Sequence, residues 1–250
     1  MVRLSLVIIS WNSFPMLRAC LESLQPLLNR TDVELVWVDN GSSDESARYV
    51  ATRFPEAKTK LLPRNMGVAY ARNRGVEMSQ GEYVMFLDDD TEVSSGTIER
   101  LLDYMDAHLD TGLLGCALRD SNGNLQDSFK GYPGLWCKVR NVIRSKFGKG
   151  NIKTELPETV IYPVYVIGAC QLVRREVFDC VGLLDEKIFY GPEDADFCIR
   201  TRKAGWKVAY FPEVSILHHW RRITSRSLTS RSSRMHMRGL LHFWCKHRRL

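Results

Sequence analysis

Asp88, Asp89 and Asp90 follow directly on the apolar run Tyr83-Val84-Met85-Phe86-Leu87. Adjacent carboxylates repel one another, so a buried strand that ends in three of them calls for a compensating cation. Hard divalent ions such as Mg²⁺ or Mn²⁺ take oxygen ligands and bridge one or two carboxylates to substrate phosphates. The triplet therefore points to a metal and a phosphate-bearing substrate, although a solvated acidic turn would carry the same residues. A second acidic group, Glu193, Asp194 and Asp196, follows Gly191-Pro192 at the expected first turn of a helix. Carboxylates there suit the helix dipole; one that faced the same cleft as the triplet could take a proton from a substrate hydroxyl. His218 and His219 close the apolar segment 214–217. A histidine directly after a strand can complete a metal site begun by carboxylates, or serve structure alone.

These groups need elements that carry them to one place. Residues 4–10 predict a buried strand, and Leu17, Leu21, Leu24 and Leu28 give residues 15–28 helical spacing. A second strand at 34–38 ends in Asp39-Asn40-Gly41-Ser42-Ser43-Asp44, where Ser43 or Asp44 can cap a helix through 47–53. A short strand near 60–62, a loop at 63–67, a helix at 68–78 and the strand that delivers Asp88 complete the first half. Strands alternating with helices imply right-handed crossovers and a mostly parallel sheet. Ligands of open α/β sheets bind beyond the carboxyl ends of the strands. Ser10, Trp11 and Asn12, Asp39 and Asn40, and the acid triplet are thus expected on one edge. The first strand runs into Ser-Trp-Asn-Ser-Phe-Pro and carries no G-x-G-x-x-G, which argues against a dinucleotide-binding domain.

The second half is less regular. Residues 113–118 read as a strand, 120–124 as a hairpin turn and 125–129 as its partner. Residues 164–173 form another apolar strand, broken at Gly168-Ala169 where small side chains let a ligand approach the backbone. A helix at 175–181 ends at Gly182, and 208–211 and 214–217 read as two further strands.

The 250 residues carry a net charge of +6, distributed unevenly. No acid follows Glu213, while Arg221, Arg222, Arg226, Arg231, Arg234, Arg238, Lys246, Arg248 and Arg249 all do. The 7 cysteines include no C-x-x-C pair, which argues for free thiols in a reducing compartment and against structural zinc. The N-terminal apolar run is short for a signal peptide, and no stretch is long enough to cross a bilayer, so a cytoplasmic protein is expected.

Five stretches stand in an order that resembles family 2 glycosyltransferases: 6–12, 38–44, 64–69, 81–90 and 192–196. The likeness runs from about residue 4 to about residue 225. It is greatest to bacterial rhamnosyltransferase-type and galactofuranosyltransferase-type members, a subfamily likeness that rests on residues 166–170 and the His218 region. The resemblance implies an α/β GT-A fold, a single Rossmann-like nucleotide-binding domain with a mostly parallel central sheet. It implies a catalytic domain over 1–220, with residues 1–112 binding a nucleotide sugar and 113–220 the acceptor, before a basic helical extension at 221–250. It further implies a dTDP- or UDP-sugar donor, a Mn²⁺ or Mg²⁺ cofactor and inversion at the anomeric carbon. Asp39 matches the acid that binds the base, with Ser10, Trp11 and Asn12 lining that pocket. Asn65, Arg64 and Arg72 fall where the family holds ribose and diphosphate. Asp88 and Asp90 match the outer residues of D-x-D; Asp89 lies between them, and which carboxylate meets sugar and which meets metal stays open. Asp194 matches the catalytic base. Glu193, Asp196, Gly168 and Ala169 match acceptor-side positions, and His218, with His219 as alternate, a third metal ligand.

Two basic amphipathic stretches remain. One runs through Leu135, Trp136, Val139, Ile143 and Phe147, the other through Met237, Leu240, Leu241 and Trp244. They suit an anionic membrane surface at the inner face of the cell membrane and a polyprenyl-linked glycan acceptor. They equally suit packing on the catalytic domain or on a second subunit of a homodimer. A nucleic-acid binder could use the same basic and aromatic runs, but it would leave both acidic clusters without a role and repel its ligand from them. A noncatalytic sugar-binding protein is the other rival.

Overall fold

The computed structural model describes residues 1–94, 96–133, 156–219 and 231–247. Its frame is an eight-stranded sheet whose inner strands are buried along nearly their whole length because both faces are covered. The first half supplies β1 (Leu4–Ser10), α1 (Phe14–Leu28), β2 (Val33–Asp39), α2 (Ser46–Arg53), β3 (Lys58–Leu61), α3 (Val68–Met78) and β4 (Tyr83–Asp88). The short β5 (Thr91–Glu92) and α4 (Thr97–Ala107) follow. The second half supplies β6 (Thr111–Arg119), β7 (Phe129–Lys130), β8 (Tyr165–Val166), β9 (Cys170–Arg174), α5 (Arg175–Val181), α6 (Glu193–Lys203), β10 (Lys207–His218) and α7 (Arg231–Lys246).

Strand order is β3-β2-β1-β4-β9-β6-β10-β5, with β7 and β8 forming a separate ribbon. The first four strands pair in parallel, as their crossover helices require. β9 then enters antiparallel to both β4 and β6, and β10 runs parallel to β6. The sheet is therefore mostly parallel, with β9 inserted where the two halves meet.

Alternation along the strands divides the core into two layers. Leu4, Leu6 and Ile8 of β1 face the same side as Trp37, Met85, Leu87, Leu114 and Cys116, where Leu17, Leu21 and Leu24 of α1, Val50 of α2 and Leu101 of α4 cover them. Val7, Val36, Val84 and Phe86 face the other side, against Ala69 and Val76 of α3, Val177 and Phe178 of α5, Phe197 of α6 and Phe243 of α7.

Three local expectations are corrected. The segments 208–211 and 214–217 belong to one strand, β10, whose register against β6 slips between Phe211 and Ser215 around Pro212. The hairpin after β6 closes through only one bridge, Arg119 to Leu125; the chain then leaves to pair β7 with β8. Helix α4 was not anticipated, although Ile98, Leu101, Leu102 and Met105 carry helical spacing and are all buried. Most of the basic stretch through Leu135 and Phe147 lies outside the described residues.

Candidate active site

The acid triplet meets His218 through a small piece of sheet. After β4 the chain turns back so that β5 pairs antiparallel with the end of β10, placing Thr91 opposite His218 and Glu92 opposite Leu217. The backbone N–H of His219 donates to the carbonyl of Asp90 at 2.9 Å, which fixes the turn. One ligand atom each from Asp88, Asp90 and His218 then lies within 4.8 Å of the others. Asp90 and His218 are buried, and Nε2 of His218 is 3.4 Å from Oδ1 of Asp90.

Gln126 orients the imidazole. Its amide nitrogen donates to the carbonyl of His218 at 2.7 Å, and its amide oxygen lies 2.6 Å from Nδ1. With Nδ1–H donated to Gln126, the Nε2 lone pair faces the two aspartates, the tautomer a metal ligand needs. Burial alone would lower the histidine's pKa, but the hydrogen bond to Asp90 and the charges of Asp88 and Asp90 outweigh it and raise it. Two hard carboxylates and an oriented imidazole fit a divalent cation. His219 points elsewhere, to Glu92 at 2.6 Å, so the alternate ligand is set aside. Asp89 accepts a hydrogen bond from the hydroxyl of Ser13.

Arg72 ties this cluster to the second acidic group. From within α3 its Nη2 donates to Oδ1 of Asp88 and to the carbonyl of Gly168, both at 2.7 Å, while its guanidinium lies over Phe86. The N–H of Gly168 donates to Oδ2 of Asp194 at 3.3 Å. One glycine thus faces Arg72 with its carbonyl and Asp194 with its amide. A Cβ there would sit 2.3 Å from Nη1 of Arg72, so the position needs to lack a side chain. Nη1 of Arg72 is buried and makes no hydrogen bond. A cationic donor left unpaired beside an acidic cluster suits an incoming anion such as phosphate.

Glu193 and Asp194 open α6, the first buried and the second half-buried. Burial first, and the neighbouring Asp194 second, push the Glu193 carboxyl up to about 7, and Oε2 of Glu193 has no partner. Asp194 is also raised, by burial, against the hydrogen bonds it accepts from the N–H groups of Ala195, at 2.7 Å, and Gly168. A raised carboxylate pKa makes a stronger base, which is what proton abstraction near neutral pH needs.

Asp196 is corrected. It has no exposed surface, and its carboxylate is taken up by Arg200 at 2.9 Å, Lys246 at 2.8 Å and His247 at 2.8 Å. It anchors α7 and has no free oxygen for an acceptor. Ala169 is corrected in part: its methyl packs in the core, and its contribution is a carbonyl that accepts the N–H of Asp88 at 3.2 Å.

On the first-half side, Asp39 is buried at the end of β2 and accepts the N–H of Ser42 at 3.0 Å. Ser10 is buried beside it and accepts the indole N–H of Trp37 at 3.0 Å. Trp11 is exposed, and Asn12, at a φ of 48°, accepts the N–H of Ser43 at 2.9 Å and so ties the β1 loop to the β2 loop. Asn65 accepts from the amide of Asn40 at 3.2 Å and from the N–H of Gly67 at 3.0 Å. Arg64 is exposed, its backbone lying against Gly41 so closely that a Cβ on that glycine would sit 2.4 Å away. Asn40, expected with Asp39 on the binding edge, bridges the β2 loop to the α3 N-terminus. Gln126 and Ser13 were not expected at the site, and nothing in the sequence around Gln126 marks it.

Glycosyl transferase family 2 matches residues 5–182. The chain belongs to that family. The N-acetylglucosaminyl-diphospho-decaprenol L-rhamnosyltransferase of Mycobacterium tuberculosis is 30% identical over 250 aligned positions, covering 93% of this chain and 81% of that protein. Rhamnosyltransferase WbbL of Escherichia coli is 26% identical, covering 74% and 69%. Among solved structures, S. aureus TarS 1-349 in complex with UDP superposes with a TM-score of 0.63 at 18% identity, over 86% of this chain and 60% of that one. The mannosyltransferase PcManGT of Pyrobaculum calidifontis, in complex with GDP-Man and Mn²⁺, gives 0.59 at 17%, over 89% and 58%. The chain thus spans less than two thirds of those two structures. The fold is that of the GT-A glycosyltransferases, and this family 2 glycosyltransferase is a transferase enzyme.

Proposed function

We propose that this glycosyltransferase moves a rhamnosyl unit from a nucleoside diphosphate donor, dTDP- or UDP-linked, to a hydroxyl of a lipid-diphosphate-linked glycan during cell-surface polysaccharide synthesis. The rhamnosyl assignment is supported by both relatives, and the lipid-linked acceptor by the decaprenol-linked enzyme that aligns over nearly the whole chain. The observation that carries the chemistry is the convergence of Asp88, Asp90 and His218 beside Arg72, with Asp194 joined to the same group through Gly168.

A Mg²⁺ or Mn²⁺ ion held by Asp88, Asp90 and His218 would stabilise the negative charge that builds on the departing diphosphate. Arg72 adds a fixed positive charge there, through the Nη1 that nothing else occupies. Asp39 and Ser10 lie at the ends of adjacent strands and suit the base, with Asn12, Asn65 and Arg64 around the ribose and the exposed Trp11 as a flanking wall. Asp194 removes the acceptor proton as the hydroxyl oxygen attacks the anomeric carbon from the face opposite the leaving group. A single displacement with one base inverts configuration. The reaction belongs at the cytoplasmic face of a membrane, where a lipid-linked acceptor presents its head.

The test is turnover of dTDP-L-rhamnose and UDP-sugars with a synthetic polyprenyl-diphosphate N-acetylglucosamine acceptor, with Mn²⁺ and with chelator, followed by mass spectrometry. A rhamnosylated product formed only with metal supports the proposal. Equal turnover in chelator would remove the metal from it, and no product from any nucleotide sugar would overturn it.

A further inference from the structure

Helix α7 has two faces of opposite character. Gly239, Leu240 and Phe243 are buried, and the helix runs so close to the segment before α6 that a Cβ on Gly239 would sit 3.0 Å from the carbonyl of Gly191. His242 and Lys246 reach Asp185 at 2.9 Å and 2.8 Å, and Trp244 donates to the carbonyl of Pro133 at 2.8 Å. These contacts dock the inner face onto the catalytic domain, beside the loop that delivers Glu193 and Asp194.

The outer face carries Arg234, Met237, Arg238 and Leu241, all exposed. At 3.6 residues per turn these four fall within an arc of roughly 100°. Met237 and Leu241 keep 53% and 54% of their surface in water although they stand mid-helix, one turn apart, between two arginines. A helix that needed only to cover the domain would place polar side chains there. Apolar groups flanked by cations are what an interfacial helix presents, the apolar side chains entering the headgroup boundary and the guanidinium groups meeting anionic heads. No helix among the described residues is long and apolar enough to cross a membrane, so contact of this kind would be peripheral.

We propose that the outer face of α7 docks the enzyme on an anionic lipid surface. This rests on the reading of the acceptor as lipid-linked and deepens it: the helix that holds the Asp194 loop from one side faces the bilayer with the other. The catalytic carboxylates are thereby kept beside the surface from which the acceptor head projects.

The test is co-sedimentation of the full chain with phosphatidylglycerol vesicles and with phosphatidylcholine vesicles, at low and high salt. Wild type is expected to pellet with phosphatidylglycerol, to be released by salt, and to bind phosphatidylcholine about tenfold less. The pair Met237→Glu and Leu241→Glu is expected to lower the bound fraction roughly tenfold while nucleotide affinity is unchanged, since both side chains point away from the domain. The other basic segments are untouched in that variant, so its loss assigns the binding to this face. Wild type that stays in solution with phosphatidylglycerol at low salt, or a variant that pellets like wild type, would overturn the proposal. So would a dimer, seen by light scattering, that the same pair dissociates while vesicles leave wild type unbound. Vesicle binding needs no substrate, so a protein that pelleted as expected but turned over no nucleotide sugar would sink the functional reading and leave the surface standing.

Discussion

Gln126 shows how much of a metal site lies outside its ligands. It grips His218 at the ring and at the carbonyl, so the imidazole is aimed before any ion arrives. Replacing it with Leu is expected to lower Mn²⁺ affinity about 10–100-fold, measured by titration of the free-ion electron paramagnetic resonance signal, with the fold unchanged. Because the hydrogen bond to Asp90 and the charges of Asp88 and Asp90 raise the pKa of His218, and a ligand must be neutral, Mn²⁺ affinity is expected to rise with pH. Gly168→Ala should push Arg72 off Asp88, and calorimetry should show nucleoside diphosphate affinity falling by about tenfold or more. Glu193 gives a pH signature of its own. Its folded pKa of about 7 stands above the ordinary 4.5, so its contribution to stability is complete below about pH 4.5 and is lost as pH rises through 7. Glu193→Gln should therefore melt higher than wild type at pH 8, by roughly 3 °C, and equally with it at pH 4.5. The positions of Asp88, Asp90 and His218 at strand ends, and of Asp194 in the first turn of a helix, were legible from the sequence pattern. Gln126 was not, since its partner is 92 residues away and a lone glutamine after a turn carries no pattern of its own.

At the scale of elements, Asp196 is the point on which α7 depends. Burial would raise its pKa, but Lys246, Arg200 and His247 hold it below the usual carboxylate range. Asp196→Ala leaves these cations without their counter-ion and is expected to cost about 3 kcal/mol in urea unfolding, with amide exchange in α7 and in residues 185–192 accelerating together. Sequence placed Asp196 correctly in the first turn of α6 but could not tell which way it turns. Helical spacing puts it two residues beyond Asp194, on a different side of the helix, and only the position of α7 decides what it meets. The strand pattern was clear wherever both faces are buried, as in β1, β2 and β4. It misled at β10, where Pro212 interrupts an otherwise continuous strand and makes one element look like two.

Across the whole molecule, the site is assembled from both halves of the chain. Arg72, Asp88 and Asp90 come from the first half and Gly168, Asp194 and His218 from the second; β9, inserted between β4 and β6, joins the two into one sheet. Alternation of strands and helices made the first half readable as a parallel sheet. The antiparallel entry of β9 was not readable, because an apolar strand of five residues looks the same in either direction. The uneven charge of the chain has its counterpart in the architecture: carboxylates at the strand ends, and arginines on the outer face of α7. The central claim is that metal binding and proton removal are carried by separate carboxylates. It is tested most directly by the transfer rate of Asp194→Asn at saturating donor, acceptor and Mn²⁺. The account predicts a fall of about 10²–10⁴-fold in kcat with donor affinity within about twofold of wild type. A variant that transferred sugar at the wild-type rate would contradict it.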